Sequence, residues 1–202
     1  MRLLIVIIPF ILCTLTLHGQ TTVMRHLFKD TSKDLKLFIN PTYEFTEVVQ
    51  QFCSVTGIRA GVIINKKLII GGVYNFQLQK ITLPESLGFG QLGMQMEGIH
   101  LEYTLWPLQK VHLSFPLSGG LGQLKISGST TPIAPDKPNF FFAEPGMMIE
   151  TNIWKYARFG FGGSYRYTAN VEYNGLTTND LNGFSAVVSL KMGLFNYEKR
   201  EY

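Results

Sequence analysis

Residues 184–194 read Phe-Ser-Ala-Val-Val-Ser-Leu-Lys-Met-Gly-Leu, and their period is two. Phe184, Ala186, Val188, Leu190, Met192 and Leu194 form one face, and Ser185, Val187, Ser189, Lys191 and Gly193 form the other. Successive side chains of a strand point to opposite sides, so this alternation marks a β-strand with two unlike faces. The run is also long. Ordinary strands average about 5–6 residues, whereas about 9–11 tilted residues cross a bilayer.

Working outward from that segment, the same scheme repeats. Ala157, Phe159, Phe161, Gly163, Tyr165 and Tyr167 oppose Arg158, Gly160, Gly162, Ser164 and Arg166. Phe141, Ala143, Met147, Ile149, Thr151 and Ile153 oppose Glu144, Glu150 and Asn152. Val111, Leu113, Phe115, Leu117 and Leu121 oppose His112, Ser114, Ser118, Gly120 and Gly122, and Ile99, Leu101, Tyr103 and Leu105 oppose Gly98, His100, Glu102 and Thr104. Three earlier stretches, about 35–46, 51–64 and 68–79, are less regular. In the second, Ile58, Ala60, Val62 and Ile64 oppose Gly57, Arg59, Gly61 and Ile63.

The expected fold is therefore all-β: a closed, antiparallel, up-and-down transmembrane barrel of about eight strands. The joins agree with it. Asn65-Lys66-Lys67, Pro107-Leu108-Gln109 and Lys155 are short, and they alternate with longer polar stretches at about 80–92, 123–138 and 169–182. Short periplasmic turns and long extracellular loops alternate in this way in such barrels, which puts both chain ends on the periplasmic side. Trp106 and Trp154 sit at short turns, and Phe195 and Tyr197 close the last strand. These four are expected to form an aromatic girdle at one membrane interface.

The start of the chain fits export to the outer membrane. A single Arg2 precedes an apolar run to Leu17 and then small and polar His18-Gly19-Gln20, the layout of a cleaved signal peptide. The expected organisation is a signal peptide at 1–19, a polar lead-in at 20–34, the barrel at 35–197 and a short tail at 198–202. Without the signal peptide Cys53 is the only cysteine left, so no internal disulfide is expected. Charged residues make up only 16% of the chain, against about 25% in a typical soluble domain. The net charge of +4 is spread out, without the Lys/Arg block of a nucleic-acid partner. Neither a metal-ligand spacing nor a phosphate loop is present, and no cofactor is expected.

Arg59, His100, Glu102, Glu144, Glu150, Arg158, Arg166 and Lys191 fall on the polar face. An eight-stranded barrel has room for little more than its own side chains, and buried charges must pair. The expectation is a plug in which Glu150, Arg158 and Arg166 pair with one another or with Glu144. A conducting path lined by the same charges is the sharper alternative. His100 and Glu102, with His112 and Ser114 arranged likewise on the next strand, hold the residue types of a hydrolytic triad, as in a lipid-modifying barrel enzyme. No oxyanion hole accompanies them, so enzymatic activity is not expected. Alternation alone does not say which face points inward. A soluble secreted lipocalin-like barrel, apolar inside and binding a small hydrophobic ligand, is the alternative architecture. Its water-facing surface would be unusually poor in charge.

The order GIHLEYTLWP, KVHLSFPLSGGLG, FFFAEPGMMIETNIWKYARFGFGGSYRY and GLTTNDLNGFSAVVSLKMGLF resembles a group of uncharacterised small outer-membrane β-barrel proteins of Bacteroidota. The similarity runs from about residue 50 to residue 195. Its most specific pieces are Glu144-Pro145-Gly146 with Glu150 and Asn152, Tyr165-Arg166-Tyr167, and Asp180-Leu181-Asn182-Gly183. The resemblance implies the fold and the compartment, and no activity. Partners beyond the lipid bilayer, outside the cell or in the membrane, stay open.

Overall fold

Alternating segments too polar on one face to pack against another layer have to bury that face against themselves, and a closed sheet does so. The computed structural model describes residues 35–83, 90–127, 139–171 and 175–195. Its strands are β1 (Lys36–Val48), β2 (Gln51–Ile64), β3 (Leu68–Gln77), β4 (Ile81–Leu83), β5 (Gly90–Leu105), β6 (Val111–Ser127), β7 (Asn139–Trp154), β8 (Ala157–Ala169) and β9 (Gly183–Gly193). A single-turn helix, α1 (Thr178–Leu181), precedes β9. The strands pair antiparallel in chain order, and β1 closes on β9. Short β4 pairs with the start of β5, and β3 pairs with the rest of β5, so β3 and β4 together form one stave of eight. The expected segments 1–19, 20–34 and 198–202 lie outside the described residues.

The register sets the tilt. Carried across the ladders from Phe38 through Gly61, Gly71, His100, Ser118, Glu144, Arg166 and Gly183, it returns to β1 at Val48, a stagger of 10 residues. Stagger and strand number together fix the tilt, typically about 35–45° in barrels. Closure on so few strands bends the sheet sharply, and paired glycines permit it. A Cβ on Gly61 would stand 2.2 Å from the Ile70 carbonyl oxygen, and one on Gly98 would stand 2.1 Å from that of Gly119.

The apolar face points outward. Phe159, Phe161 and Tyr167 on β8, and Phe184, Val188, Leu190 and Met192 on β9, are exposed, while Arg158, Arg166, Ser185, Ser189 and Lys191 are buried. On β8 the apolar exterior runs from Ala157 to Tyr167. At about 3.3 Å per residue and about 40° of tilt that is about 25 Å, the height of the apolar band on an outer-membrane barrel. Aromatic residues mark its upper edge as well: Tyr165 stacks edge-on against both Tyr167 and Phe184, at 4.4 and 4.6 Å between ring centres. This orientation excludes the lipocalin arrangement, which needs the apolar face inside.

The strands extend further than their sequence pattern indicated, because their polarity inverts near the long-loop rim. Above Ile99 the outer face of β5 carries Glu97, Gln95 and Gln91, while Leu92, Met94 and Met96 point inward. β6 continues alongside, with Leu124 buried and Lys125 exposed. Parts of the expected loops 80–92 and 123–138 are thus strand with reversed faces. The alternation of short and long joins also has an exception. β1 and β2 meet at the long-loop rim through the tight turn Val49-Gln50, with φ of 50° and 57°. Two residues with positive φ match the twist of a hairpin, but valine is strained there. A hydrogen bond of 2.7 Å from the Val49 N–H to the Asp180 carbonyl holds it in place.

Candidate functional site in the barrel lumen

All eight charged or titratable residues expected on the polar face point inward and are buried: Arg59, His100, Glu102, Glu144, Glu150, Arg158, Arg166 and Lys191. Glu44 on β1 joins them, a residue that sequence reasoning passed over. Among the described residues that are buried as a whole, Glu44, Glu102, Glu144 and Glu150 then stand with Arg59, Arg158, Arg166 and Lys191.

Their pairing differs from the expected one. Glu150 bonds Lys191 Nζ at 2.7 Å and His112 Nε2 at 3.1 Å, and binds neither arginine. Lys191 also bridges to Glu102 from β5. The reason lies in the register. Arg158 and Lys191 stand directly opposite one another on β8 and β9, where two like charges repel. Gly160 lies between Glu150 and Ser189 in the ladder, and a Cβ there would stand 3.3 Å from Glu150 Cγ and 2.7 Å from Ser189 Oγ. Glu150 therefore reaches over Gly160 to Lys191. Arg158 turns toward the short-turn rim, where its Nε donates to Asn152 Oδ1 at 2.8 Å and its Nη2 to the Pro107 carbonyl at 3.1 Å.

Phe195 requires a second correction. It is 2% exposed and lies inside, its ring 4.0 Å from the Arg158 guanidinium carbon, so it belongs to the plug and not to the girdle. Trp106 and Trp154 do face outward at the short-turn rim. Tyr197 lies outside the described residues. The parity of β9 already carried this signal, since Phe195 continues the inward series of Ser189, Lys191 and Gly193.

Higher in the lumen, Arg59 Nη2 donates to Glu44 Oε1 at 3.1 Å, and Ser164 Oγ donates to Glu144 Oε1 at 2.7 Å. Arg166 binds backbone instead of a carboxylate. Its Nε donates to the Leu181 carbonyl at 2.9 Å, and its Nη2 reaches Thr46 Oγ1 and the Glu47 carbonyl at 3.3 Å. It thereby ties the α1 segment over the barrel mouth, and Leu176 and Leu181 of that segment pack into an apolar cluster with Met94, Met96, Phe140 and Phe142.

A serine, a histidine and a carboxylate do meet. His100 Nδ1 lies 3.0 Å from Ser118 Oγ, and its Nε2 lies 3.5 Å from Glu102 Oε2, too far or too oblique for a hydrogen bond. Ser114, the serine that the sequence sets beside His112, has no partner among the described groups. All three of the assembled residues are buried inside the wall, away from the lipid face. Glu102 is also committed to Lys191. The set has the elements of a triad without access for an acyl chain.

Among solved structures, the chain matches Neisserial surface protein A at 10% identity and a TM-score of 0.56, over 78% of this chain and 96% of that one. The fold is that of a small outer-membrane barrel. Ail, the attachment invasion locus protein of Yersinia pestis, in complex with the heparin analogue sucrose octasulfate, aligns at 12% identity and a TM-score of 0.47, over 79% of this chain and 97% of that one. The outer membrane protein OprG from Pseudomonas aeruginosa aligns at 10% and 0.45, over 79% and 94%. No family model and no curated protein sequence matches the chain.

Proposed function

We propose that this chain is an integral outer-membrane barrel without enzymatic activity, closed inside by paired charges, whose long-loop rim makes contacts outside the cell or with a partner in the membrane. The reading includes export by residues 1–19 and kinship with the uncharacterised barrels of Bacteroidota. One observation carries it: the exterior is apolar over about 25 Å while four carboxylates and four cations are buried within. Such an object is stable only with hydrocarbon around it, since water would leave its outer face unpaired and the wrong way out.

A plugged lumen leaves little passage for solute. The apolar cluster under α1 adds a second closure above the charges. Two measurements test the reading together. Cell fractionation should place the protein in outer membranes, resistant to alkaline and urea washes. In planar bilayers the purified protein should give no steady solute-selective current. Recovery in the soluble fraction would refute membrane residence, and a stable open conductance would refute the plug. For the catalytic alternative, the unmodified protein should turn over lipid substrates only at background, and turnover that His100→Ala abolishes while the barrel stays folded would refute the non-enzymatic reading.

A further inference from the structure

The lumen is layered. At the short-turn end Arg158, Asn152, His112, Glu150, Lys191 and Glu102 form a continuous chain of contacts. At the long-loop end the wall is apolar, with Leu92, Met94, Met96, Leu124, Phe140 and Phe142 packed together. Between them lies a third layer whose side chains are polar and whose hydrogen bonding is incomplete. Asn40 Oδ1, Thr42 Oγ1, Glu44 Oε2, Arg59 Nε, Glu144 Oε2 and both amide atoms of Asn75 are buried and have no partner among the protein's described groups. None of the residues that carry them is more than 3% exposed.

These atoms share one region of the lumen. Asn40 stands opposite Arg59, and Thr42 stands opposite Gly57, which in turn stands opposite Asn75. Gly57 contributes no side chain, and the Asn75 amide leans into the room that leaves: a Cβ on Gly57 would fall 1.9 Å from Asn75 Oδ1. From the far wall, Glu144 lies close enough for its charge to act on Glu44. Two facing carboxyl groups, each with one oxygen unbonded, satisfy one another only by sharing a proton, which would still leave Asn75 and Arg59 Nε unpaired. Asn75 brings both a donor and an acceptor and uses neither. Unpaired buried polar atoms are costly, and native proteins relieve them with enclosed water where several donors and acceptors converge. Apolar voids, by contrast, stay dry.

We propose that the middle layer of the lumen encloses a cluster of ordered water molecules held by Glu44, Asn75 and Glu144, sealed from the long-loop side by the apolar layer. The water bridges the two carboxylates and completes the hydrogen bonding of Arg59 and Asn75. It exchanges with bulk solvent slowly. The inference concerns the lumen alone and holds wherever the barrel resides.

The test is a crystal structure at a resolution that shows water, joined to nuclear magnetic resonance of the intact protein in detergent micelles. Water density within hydrogen-bond distance of Glu44 Oε2, Glu144 Oε2 and the Asn75 amide is expected. The Asn75 side-chain amide hydrogens should show direct water cross-peaks of the sign given by long-lived bound water. Met96→Ala thins the apolar seal, so it should speed hydrogen exchange at the Asn75 amide, whereas the outward Val188→Ala should not. Direct pairing of these polar groups without water would overturn the proposal. So would a coordinated cation in place of the cluster, or exchange at Asn75 as fast as at an exposed side chain.

Discussion

Lys191→Met removes the ammonium group that Glu102 and Glu150 share while keeping most of the side-chain volume. In the native protein Nζ lies 2.7 Å from Glu150 Oε1, and both carboxylates and the lysine are buried. At an effective dielectric near 20, one such pair attracts by about 6 kcal/mol before desolvation is counted. Much of that is offset by removing the charges from water. Removal of the lysine leaves a second effect. Oxygens that contacted one nitrogen are no more than about 5–6 Å apart, so the two bare carboxylates repel by about 3 kcal/mol at the same dielectric. The expected net loss is about 3–5 kcal/mol, the range for a buried pair deprived of one partner. Urea titration of the barrel folded into lipid vesicles, followed by tryptophan fluorescence, reads this loss. Adding Glu150→Gln to Lys191→Met should restore a substantial part of it, because the repulsion then disappears. A loss below about 1 kcal/mol, typical of exposed ion pairs, would refute the buried bridge. So would a double variant no more stable than the single one.

Three further outcomes follow from the same geometry. Phe195→Leu keeps bulk but loses the ring beside Arg158, so a double-mutant cycle with Arg158→Met should give a coupling of about 0.5–2 kcal/mol; a girdle residue would give none. Gly162→Ala would place a Cβ 2.1 Å from the Met147 carbonyl oxygen and should cost at least about 1–3 kcal/mol in urea titration. The adjacent Gly163→Ala, 3.4 Å from the Ser185 oxygen, should be close to neutral. On β9, lipid-facing Val188→Ala should cost less than about 1.5 kcal/mol, whereas Val188→Arg, near the bilayer midplane, should cost about 2–4 kcal/mol.

The legible part of this fold is the part in which polarity has one sense along a strand. In β8 and β9 every second residue is apolar, and membrane and lumen impose the same contrast at each rung, so parity alone places Arg158, Arg166 and Lys191 inside. The contrast reverses where β5 and β6 rise beyond Ile99 and Leu121, and those ends read as loop. On β1, Asn40, Thr42 and Glu44 keep the inward parity, but Pro41 breaks the apolar series outside, which hid Glu44. Pairing partners were not legible. Which cation reaches Glu150 depends on the stagger of the barrel and on the gap at Gly160, and both arise only on closure. The meeting of Ser118 with His100 is likewise a product of the β5–β6 register, which no spacing within either strand encodes.

The central claim is that the apolar face of the wall meets lipid and the charged face meets the lumen. Site-directed spin labelling along β9, one position at a time from Phe184 to Met192 in lipid vesicles, tests it most directly. Labels at Phe184, Ala186, Val188, Leu190 and Met192 should be accessible to oxygen, which concentrates in the bilayer, and shielded from a water-soluble nickel chelate. Labels at Ser185, Val187, Ser189 and Lys191 should be immobilised and accessible to neither. Chelate access at the even-numbered positions, or oxygen access without the period of two, would contradict the account.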